Sequence, residues 1–369
     1  MPRKLKSFIK KEAVFCISFL CALLTMIIVP PSIEYIGYID FRVLCLLFSL
    51  MAVVAGMKNI GAFDWLTFKL LNSIKSGKIL GITLVMLPFF TSMFITNDVA
   101  LIVFVPFTLA LLTQLGCTNA VLPIIVLQTV AANLGSMATP VGNPQNLFLY
   151  STFNLGIGEF SAVVLPLTII SFVCLLISSF PVMPKALPEA DINKSDIGNI
   201  KHLVIYVVMF VLCLLTVLRI VPYYITTAAI CIVLLIINRK LFNEIDYMLL
   251  LTFVCFFVIS ENLAETEAVR SFLQGLLDKN TLLTAIGTSQ IISNVPAAVL
   301  LSGFTDNWKE LLQGVNIGGL GTPVASLASL ITLKLYMVSK DAKILKFLAV
   351  FTIANIIGLI ILITFTYII

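Results

Sequence analysis

Long apolar runs separated by short polar segments set the pattern of this chain. Nine of these runs approach or exceed the roughly 20 apolar residues that a helix needs to cross a bilayer. They are predicted at residues 14–30, 40–57, 120–150, 160–182, 202–220, 223–238, 246–262, 311–335 and 345–367. The pattern therefore predicts an all-α polytopic membrane protein with about nine full spans.

Two further apolar stretches, at 79–116 and 280–303, differ because each has polar residues in its middle. The polar residues at these two tips are Thr96, Asn97, Asp98, Ser293 and Asn294. Each stretch is predicted to be a re-entrant hairpin, which enters and leaves the membrane by the same face. Such backbone is found at membrane depth only where protein or a water-filled cavity satisfies its hydrogen bonds.

Composition and charge support the membrane assignment and orient the chain. Hydrophobic residues make up 60% of the sequence and charged residues 11%, against about 25% charged in an ordinary soluble domain. With the N-terminus in the cytoplasm, 18 of the 23 Lys and Arg residues fall in cytoplasmic segments, as the positive-inside rule requires. The net charge of +5 is therefore interpreted as an excess of basic residues on the cytoplasmic side of the membrane. This orientation puts the C-terminus outside. We expect contact with the lipid bilayer and no nucleic-acid partner.

Three blocks of sequence recur in the same order along the chain. The matching blocks are 39–48 with 245–254, 94–100 with 291–297, and 133–146 with 316–329. In the predicted topology the first block runs inward and its counterpart runs outward, so the repeats are inverted. Inverted repeats with interrupted helices are typical of secondary transporters, whose site lies near the membrane midplane.

The repeats also predict how the chain is divided. Residues 14–182 form the first repeat, with its hairpin at 79–116 and a broken helix at 120–150. Residues 183–222 form a cytoplasmic linker and a connecting span. The second repeat, 223–367, has its hairpin at 280–303 and a broken helix at 311–335.

Polar groups at the tips and at the helix interruptions predict a central binding site. The N–H groups at a helix start favour an oxyanion. Proline and glycine free backbone carbonyls, which together with amide oxygens suit a hard cation such as sodium. The candidate substrate- and ion-binding residues are Thr96, Asn97, Asp98, Asn133, Gly135, Thr139, Pro140, Gly142, Asn143, Ser293, Asn294, Asn316, Gly318, Thr322 and Pro323. The subset predicted for a sodium site is Thr96, Asn97, Asp98, Gly135, Ser293, Asn294 and Gly318.

Structural roles for the same residues remain open at this point. Asp98 could cap the helix that follows it, although an ionised carboxylate in hydrocarbon costs at least ~2.5 kcal/mol unless sodium or a proton relieves it. Asn97 and Asn294 could simply join helices. The chain has one histidine and lacks the HExxH, GxSxG and paired intramembrane aspartate patterns of membrane enzymes, so we expect no enzyme and no cofactor beyond a coupling sodium ion or proton.

The motifs "TND" and "SNV", followed by "ATPVGNPQN" and "GTPV", resemble those of the ion transporter superfamily. This superfamily includes the citrate-transporter-like and divalent anion/sodium symporter proteins, arsenite permeases and one branch of sodium/proton antiporters. The resemblance covers roughly residues 35–367. It implies an inverted-repeat fold with two hairpins, commonly a homodimer, in which a transport domain moves against a scaffold like an elevator.

The third position of each tip differs from the dicarboxylate carriers of this group. Those proteins carry Ser-Asn-Thr at both tips, whereas this chain has Asp98 and Val295 in place of the last hydroxyl. The arsenite-permease and antiporter branches are similar to this chain in having Asn-Asp at the first tip. The resemblance implies a secondary transporter of the cell membrane that moves a small carboxylate or inorganic oxyanion, coupled to sodium or protons. The alternatives are a sodium/proton antiporter that uses Asp98, or an arsenite-type efflux permease.

Overall fold

The described residues fold into helices that follow the order of the predicted repeats. The computed structural model describes residues 12–63, 65, 74, 76–182, 198–337, 339 and 342–368. The first part of the chain forms α1 (Ala13–Ile28), α2 (Phe41–Asn59), α3 (Gly77–Ile95), α4 (Asn97–Gln114), α5 (Thr118–Ser136), α6 (Pro144–Thr152) and α7 (Ile157–Ser179). The connecting helix is α8 (Ile200–Val217). The second part forms α9 (Tyr223–Ile237), α10 (Tyr247–Ala264), α11 (Glu267–Lys279), α12 (Thr281–Ile292), α13 (Asn294–Ser302), α14 (Trp308–Ile317), α15 (Leu327–Met337) and α16 (Ile344–Ile368).

Helices α2 and α10 begin in the same way, as the repeated sequence predicts. Asp40 is the N-cap of α2, and its carboxylate accepts a hydrogen bond from the Val43 N–H at 3.0 Å. Asp246 is the N-cap of α10 and accepts one from the Leu249 N–H at 2.9 Å. Each carboxylate satisfies an N–H group that has no partner inside its helix.

Five helices pack together across the boundary between the repeats, and we call them the scaffold group: α1, α2, α8, α9 and α10. Helix α1 packs on α10, whereas α9 and α8 pack on α2. The Asn262 side chain of α10 donates to the Thr25 hydroxyl of α1 at 3.1 Å. Between α2 and α9, the hydroxyls of Ser49 and Thr227 lie 3.2 Å apart. The first helix of each repeat thus packs on the second helix of the other.

Each predicted hairpin is a pair of helices interrupted at one residue. Thr96, between α3 and α4, has φ 68° and ψ 149°, and Ser293, between α12 and α13, has φ 76° and ψ 154°. Positive φ is uncommon for residues other than glycine. The same unusual conformation at both tips is structural evidence that the two hairpins are repeats.

The hairpins differ in limb length. Helices α3 and α4 have 19 and 18 residues, whereas α12 and α13 have 12 and 9. Eight described helices are long and apolar enough to cross a membrane, and α3 and α4 are among them. The limbs of the second hairpin are too short to do so. The all-α polytopic prediction is confirmed, while the assignment of the first hairpin as re-entrant stays a prediction.

Glycine lets the first broken helix lie directly against its hairpin. Helix α5 packs on α3 and α4, and residues 137–143 separate it from α6. A Cβ atom at Gly135 would lie 2.0 Å from the carbonyl oxygen of Phe89 in α3. Because no larger side chain fits there, this contact fixes how closely α5 approaches the hairpin.

Large apolar side chains cover the outside of the molecule. Ile27 of α1 and Ile236 of α9 are each 78% exposed, and Leu345 of α16 is 84% exposed. Such exposed apolar side chains suit contact with lipid. The chain is therefore a multi-pass membrane protein.

Candidate functional site

Both hairpin tips reach one small cavity between the repeats. The residues lining it are Asn97, Asp98, Pro144, Gln145, Leu249, Asn294, Val295, Ser326 and Leu327. The part of the cavity that the centre of a water-sized sphere can reach has a volume of about 10 Å³. This is about the room that one water molecule needs. Residues from both hairpins, both broken helices and α10 therefore surround a space for a single small species.

The first tip is held in place by a buried hydrogen bond. The Asn97 side chain is 4% exposed and donates from Nδ2 to Oδ1 of Asn133 in α5 at 2.9 Å. Its own Oδ1 accepts the Asp98 N–H at 3.0 Å. Both ends of the Asn97 amide thus have partners.

Asp98 follows as the second residue of α4 and lines the cavity. It is half-buried, and no described residue donates a hydrogen bond to its carboxylate or forms an ion pair with it. A carboxylate acting only as a helix cap would accept a backbone N–H bond. The geometry instead leaves the Asp98 oxygens available to a ligand near the positive end of the α4 dipole.

The second tip is held through its backbone. The Asn294 N–H donates to the Ala325 carbonyl at 2.9 Å, and the Ser293 hydroxyl donates to the same carbonyl at 3.3 Å. The Asn294 amide is 4% exposed and lines the cavity, but no described residue is its hydrogen-bond partner. Because it faces the cavity without a partner, this amide is suited to bind a ligand.

Asn133 ties the two broken helices together from the side of the first repeat. It lies at the C-terminal end of α5 and is 4% exposed. Its Oδ1 accepts the hydroxyl of Ser326 at 3.0 Å, and its Nδ2 lies 3.5 Å from the Ser329 hydroxyl and 3.3 Å from the Gly319 carbonyl. All three partners belong to the second repeat.

Asn316, the repeat counterpart of Asn133, makes the reciprocal connection. Its Oδ1 accepts from Asn143 at 3.2 Å, and its Nδ2 donates to Asn146 at 2.7 Å. Asn143 and Asn146 match Ser326 and Ser329 in the aligned blocks. The two broken helices are therefore linked by a hydrogen-bond network that occurs at matching positions of both repeated blocks.

Thr139 and Thr322 connect each broken helix to the hairpin of its own repeat. The Thr139 hydroxyl donates to the Met93 carbonyl. The Thr322 hydroxyl donates to the Gln290 carbonyl at 3.2 Å. Met93 and Gln290 both lie four residues before the tip asparagine, so the two contacts are equivalent. These threonines hold the hairpins and do not line the cavity.

The other predicted site residues shape the backbone around the cavity. Thr96 and Ser293 form the tip turns with positive φ. A Cβ atom at Gly142 would lie 2.1 Å from the Ser136 carbonyl oxygen, and one at Gly318 would lie 2.7 Å from the Gly314 carbonyl oxygen. The predicted residues that do not line the cavity are Thr96, Asn133, Gly135, Thr139, Pro140, Gly142, Asn143, Ser293, Asn316, Gly318, Thr322 and Pro323.

Gln145 lines the cavity and was missed by the sequence reasoning. It is 2% exposed, directly follows Pro144 at the start of α6, and has no hydrogen-bond partner among the described residues. It lies inside the "ATPVGNPQN" motif, two residues beyond Asn143, the last residue of this motif that is predicted for the site. The counterpart of Gln145 is Ala328, so repeat matching passes over it.

The free polar groups of the cavity define what it could bind. Asp98, Gln145 and Asn294 offer carboxylate and amide oxygens, which are the ligands that hard cations prefer. The amide N–H groups could also donate to an oxyanion. No group of three or more Asp, Glu, His or Cys residues capable of holding a metal occurs in the described part of the chain.

Comparisons with known proteins agree with this architecture. Residues 8–307 match the profile of the family described as citrate transporter. An uncharacterized transporter of Methanocaldococcus jannaschii is 35% identical over 93% of both chains, and the Escherichia coli inner membrane protein YbiR is 30% identical over 80% of both. A silicon efflux transporter of Oryza sativa subsp. japonica is 32% identical over 35% of this chain and 26% of its own length. The predicted superfamily is confirmed: the chain belongs to the citrate transporter family and is a membrane transporter.

Proposed function

We propose that this protein is a secondary active transporter of the cell membrane that couples sodium or protons to the movement of a small anion, a carboxylate or an inorganic oxyanion. The observation that carries the proposal is the unpartnered Asp98 carboxylate, which shares a cavity for one small species with the free amides of Gln145 and Asn294. Inverted repeats with broken helices are the usual setting for such a site.

Cation coupling follows from the charge of the cavity. No described basic side chain pairs with Asp98, and a carboxylate at membrane depth is costly without a counter-ion or a proton. A bound cation removes this cost and makes the surroundings of the cavity more favourable for an anion. Because removal of the cation restores the cost, binding of the two species is linked.

The alternation of access is proposed to occur by an elevator movement. The scaffold group would stay fixed while the hairpins and broken helices, which the Asn133 and Asn316 networks tie together, move as one unit. Leu249 is the scaffold-group residue that lines the cavity, so the site lies where such a unit would slide. A homodimer is proposed on the resemblance alone.

The names of related proteins support a small solute. The family is described as citrate transporter, and the rice relative is a silicon efflux transporter. We therefore propose carboxylates and inorganic oxyanions, including arsenite in an efflux mode, as the substrates to examine first.

Sodium/proton exchange through Asp98 is the second candidate. The specific observation in its favour is the size of the cavity, about 10 Å³ for the centre of a water-sized sphere, which suits a single cation better than a carboxylate ligand. In this alternative no anion is needed for exchange.

The deciding experiment uses the full chain in proteoliposomes with an imposed sodium or pH gradient. An anion carrier accumulates a labelled anion such as citrate against its concentration gradient, whereas an exchanger moves sodium against protons with no anion present. Asp98→Asn should slow the coupled flux by about 10- to 100-fold, because a charge-assisted interaction is worth roughly 1.5–3 kcal/mol. Asp40→Asn, the same substitution at a helix cap away from the cavity, should leave it unchanged. Undiminished coupled flux in Asp98→Asn would contradict both candidates.

A further inference from the structure

The two aspartates that cap α2 and α10 have the same local geometry but different surroundings. Asp40 and Asp246 occupy matching positions in the repeats, with φ/ψ of −78°/88° and −80°/83°. Each accepts one backbone N–H bond from the third residue beyond it. Any difference in role must therefore come from what lies around each carboxylate.

Asp246 lies next to the cavity. Leu249, whose N–H bonds to the Asp246 carboxylate, is itself part of the cavity wall. Asp246 is exposed at the start of α10, and Asp98 lines the cavity. No described Lys or Arg forms an ion pair with either carboxylate. The exposed carboxylate of Asp246 thus lies one helical turn from the wall of the cavity that Asp98 also lines.

Asp40 lies in a positively charged environment instead. Arg42 is close enough to both Asp40 and Arg219 to interact with them electrostatically. The Arg219 guanidinium lies over the Tyr150 ring at 5.3 Å and donates to the Tyr150 carbonyl at 3.2 Å. Val43, the counterpart of Leu249, is fully buried in the core and does not line the cavity. The start of α2 thus has Arg42 two residues beyond its aspartate, with Arg219 near Arg42.

We propose that Asp246 is a positioning residue for the coupling cation, which it draws from the water at the start of α10 toward Asp98. This inference rests on the proposed function and adds a route to it. The positive-inside pattern predicts that α10 starts on the cytoplasmic side. Asp246 acts through the electrostatic field at the cavity mouth rather than by holding the cation in the cavity, because it does not line the cavity itself. At the start of α2, the positive charges of Arg42 and Arg219 oppose the attraction of a cation.

The inference is tested with Asp246→Asn and the matched variant Asp40→Asn in proteoliposomes. Asparagine caps helices about as well as aspartate, so both variants keep their cap and lose only the charge. Uptake of radioactive sodium is measured while sodium is varied on one side of the membrane at a time. Asp246→Asn should raise the half-saturating sodium concentration on the α10 side by about threefold to tenfold and weaken its dependence on ionic strength. The maximal rate, and all values for Asp40→Asn, should stay at the wild-type level.

A second arm, with a pH-sensitive dye and an imposed pH gradient, shows whether the cation is a proton instead, in which case the same shift appears in proton flux. Asp246→Glu keeps the charge and should restore wild-type values, which separates charge from folding. Equal half-saturating concentrations in wild type, Asp246→Asn and Asp40→Asn would overturn this inference alone. A wild-type protein without sodium or proton flux would overturn the proposed function, and the inference with it.

Discussion

The two hairpin tips have the same backbone and different hydrogen bonding. Thr96 and Ser293 adopt nearly the same φ and ψ. Beyond them, the Asn97 amide is bonded to Asn133, whereas the Asn294 amide has no partner in the described structure. The two tips thus share their backbone shape, but only one of their two asparagine amides is without a partner in the described structure.

The choice of partners by the broken-helix asparagines accounts for this difference. Asn133 accepts Asn97 and so fixes the first tip to α5. Asn316 donates to Asn146 and to the Leu312 carbonyl of its own helix, and no hydrogen bond joins it to the second tip. The Asn97 amide therefore has a structural role and holds the tip that carries Asp98. The Asn294 amide, at the second tip, is free at the cavity.

The largest effect is expected where the first tip meets its broken helix. Gly135→Ala would place a Cβ atom 2.0 Å from a backbone oxygen of α3, and this oxygen can move only if the helix does. Overpacking of this kind costs about 3 kcal/mol or more, so we expect little folded protein on size exclusion in detergent. Gly318→Ala is the repeat counterpart, and two of its nearest atoms belong to the Ser289 side chain, so its melting temperature should fall less. Equal losses in both variants would show that the two junctions are equivalent.

Much of this fold is readable from the sequence because it depends on local pattern. The apolar runs predict the helices, and the repeated "IDF" and "IDY" blocks correspond to the shared caps of Asp40 and Asp246. The polar tips and the Gly-Pro interruptions predict both hairpin turns and both broken helices.

What the sequence does not reveal is which polar groups find partners. Asn97 and Asn294 read alike, since each follows a hydroxyl residue within a matching block. Their difference depends on where the side chains of α5 and α14 point in three dimensions. Gln145 is not predicted for a related reason, because the sequence does not show which side chains at the start of α6 line the cavity.

Alanine substitution of the two tip asparagines should separate stability from binding. Asn97→Ala breaks the bond to Asn133 and should destabilise the protein by about 1 kcal/mol, between the ~0.6 kcal/mol average for membrane helices and the ~1–3 kcal/mol for stranding a buried group. Asn294→Ala removes an amide without a partner, so the melting temperature should hardly change while cation-driven flux falls about tenfold. Thermal unfolding measures the change in stability, and flux in proteoliposomes measures the change in transport. The opposite assignment of effects would show that Asn97 is the free tip in solution.

The smallest effect is expected at Gln145, whose amide also lacks a partner but whose repeat counterpart is an alanine. Gln145→Leu keeps the volume of the side chain and removes a cavity-lining amide that has no hydrogen-bond partner among the described residues. Removing such a group is neutral or slightly stabilising when no partner is stranded, so the melting temperature should stay the same or rise. If Gln145 contacts the transported species, the half-saturating substrate concentration should increase about threefold to tenfold, as expected for one hydrogen bond of roughly 0.5–1.5 kcal/mol.

Asn146→Leu is the matched control one residue along, and it should lower the melting temperature instead because it removes a partner of Asn316. An unchanged half-saturating concentration in Gln145→Leu would confine ligand contact to Asp98 and Asn294, and would make the second tip the main source of amide contacts in the site.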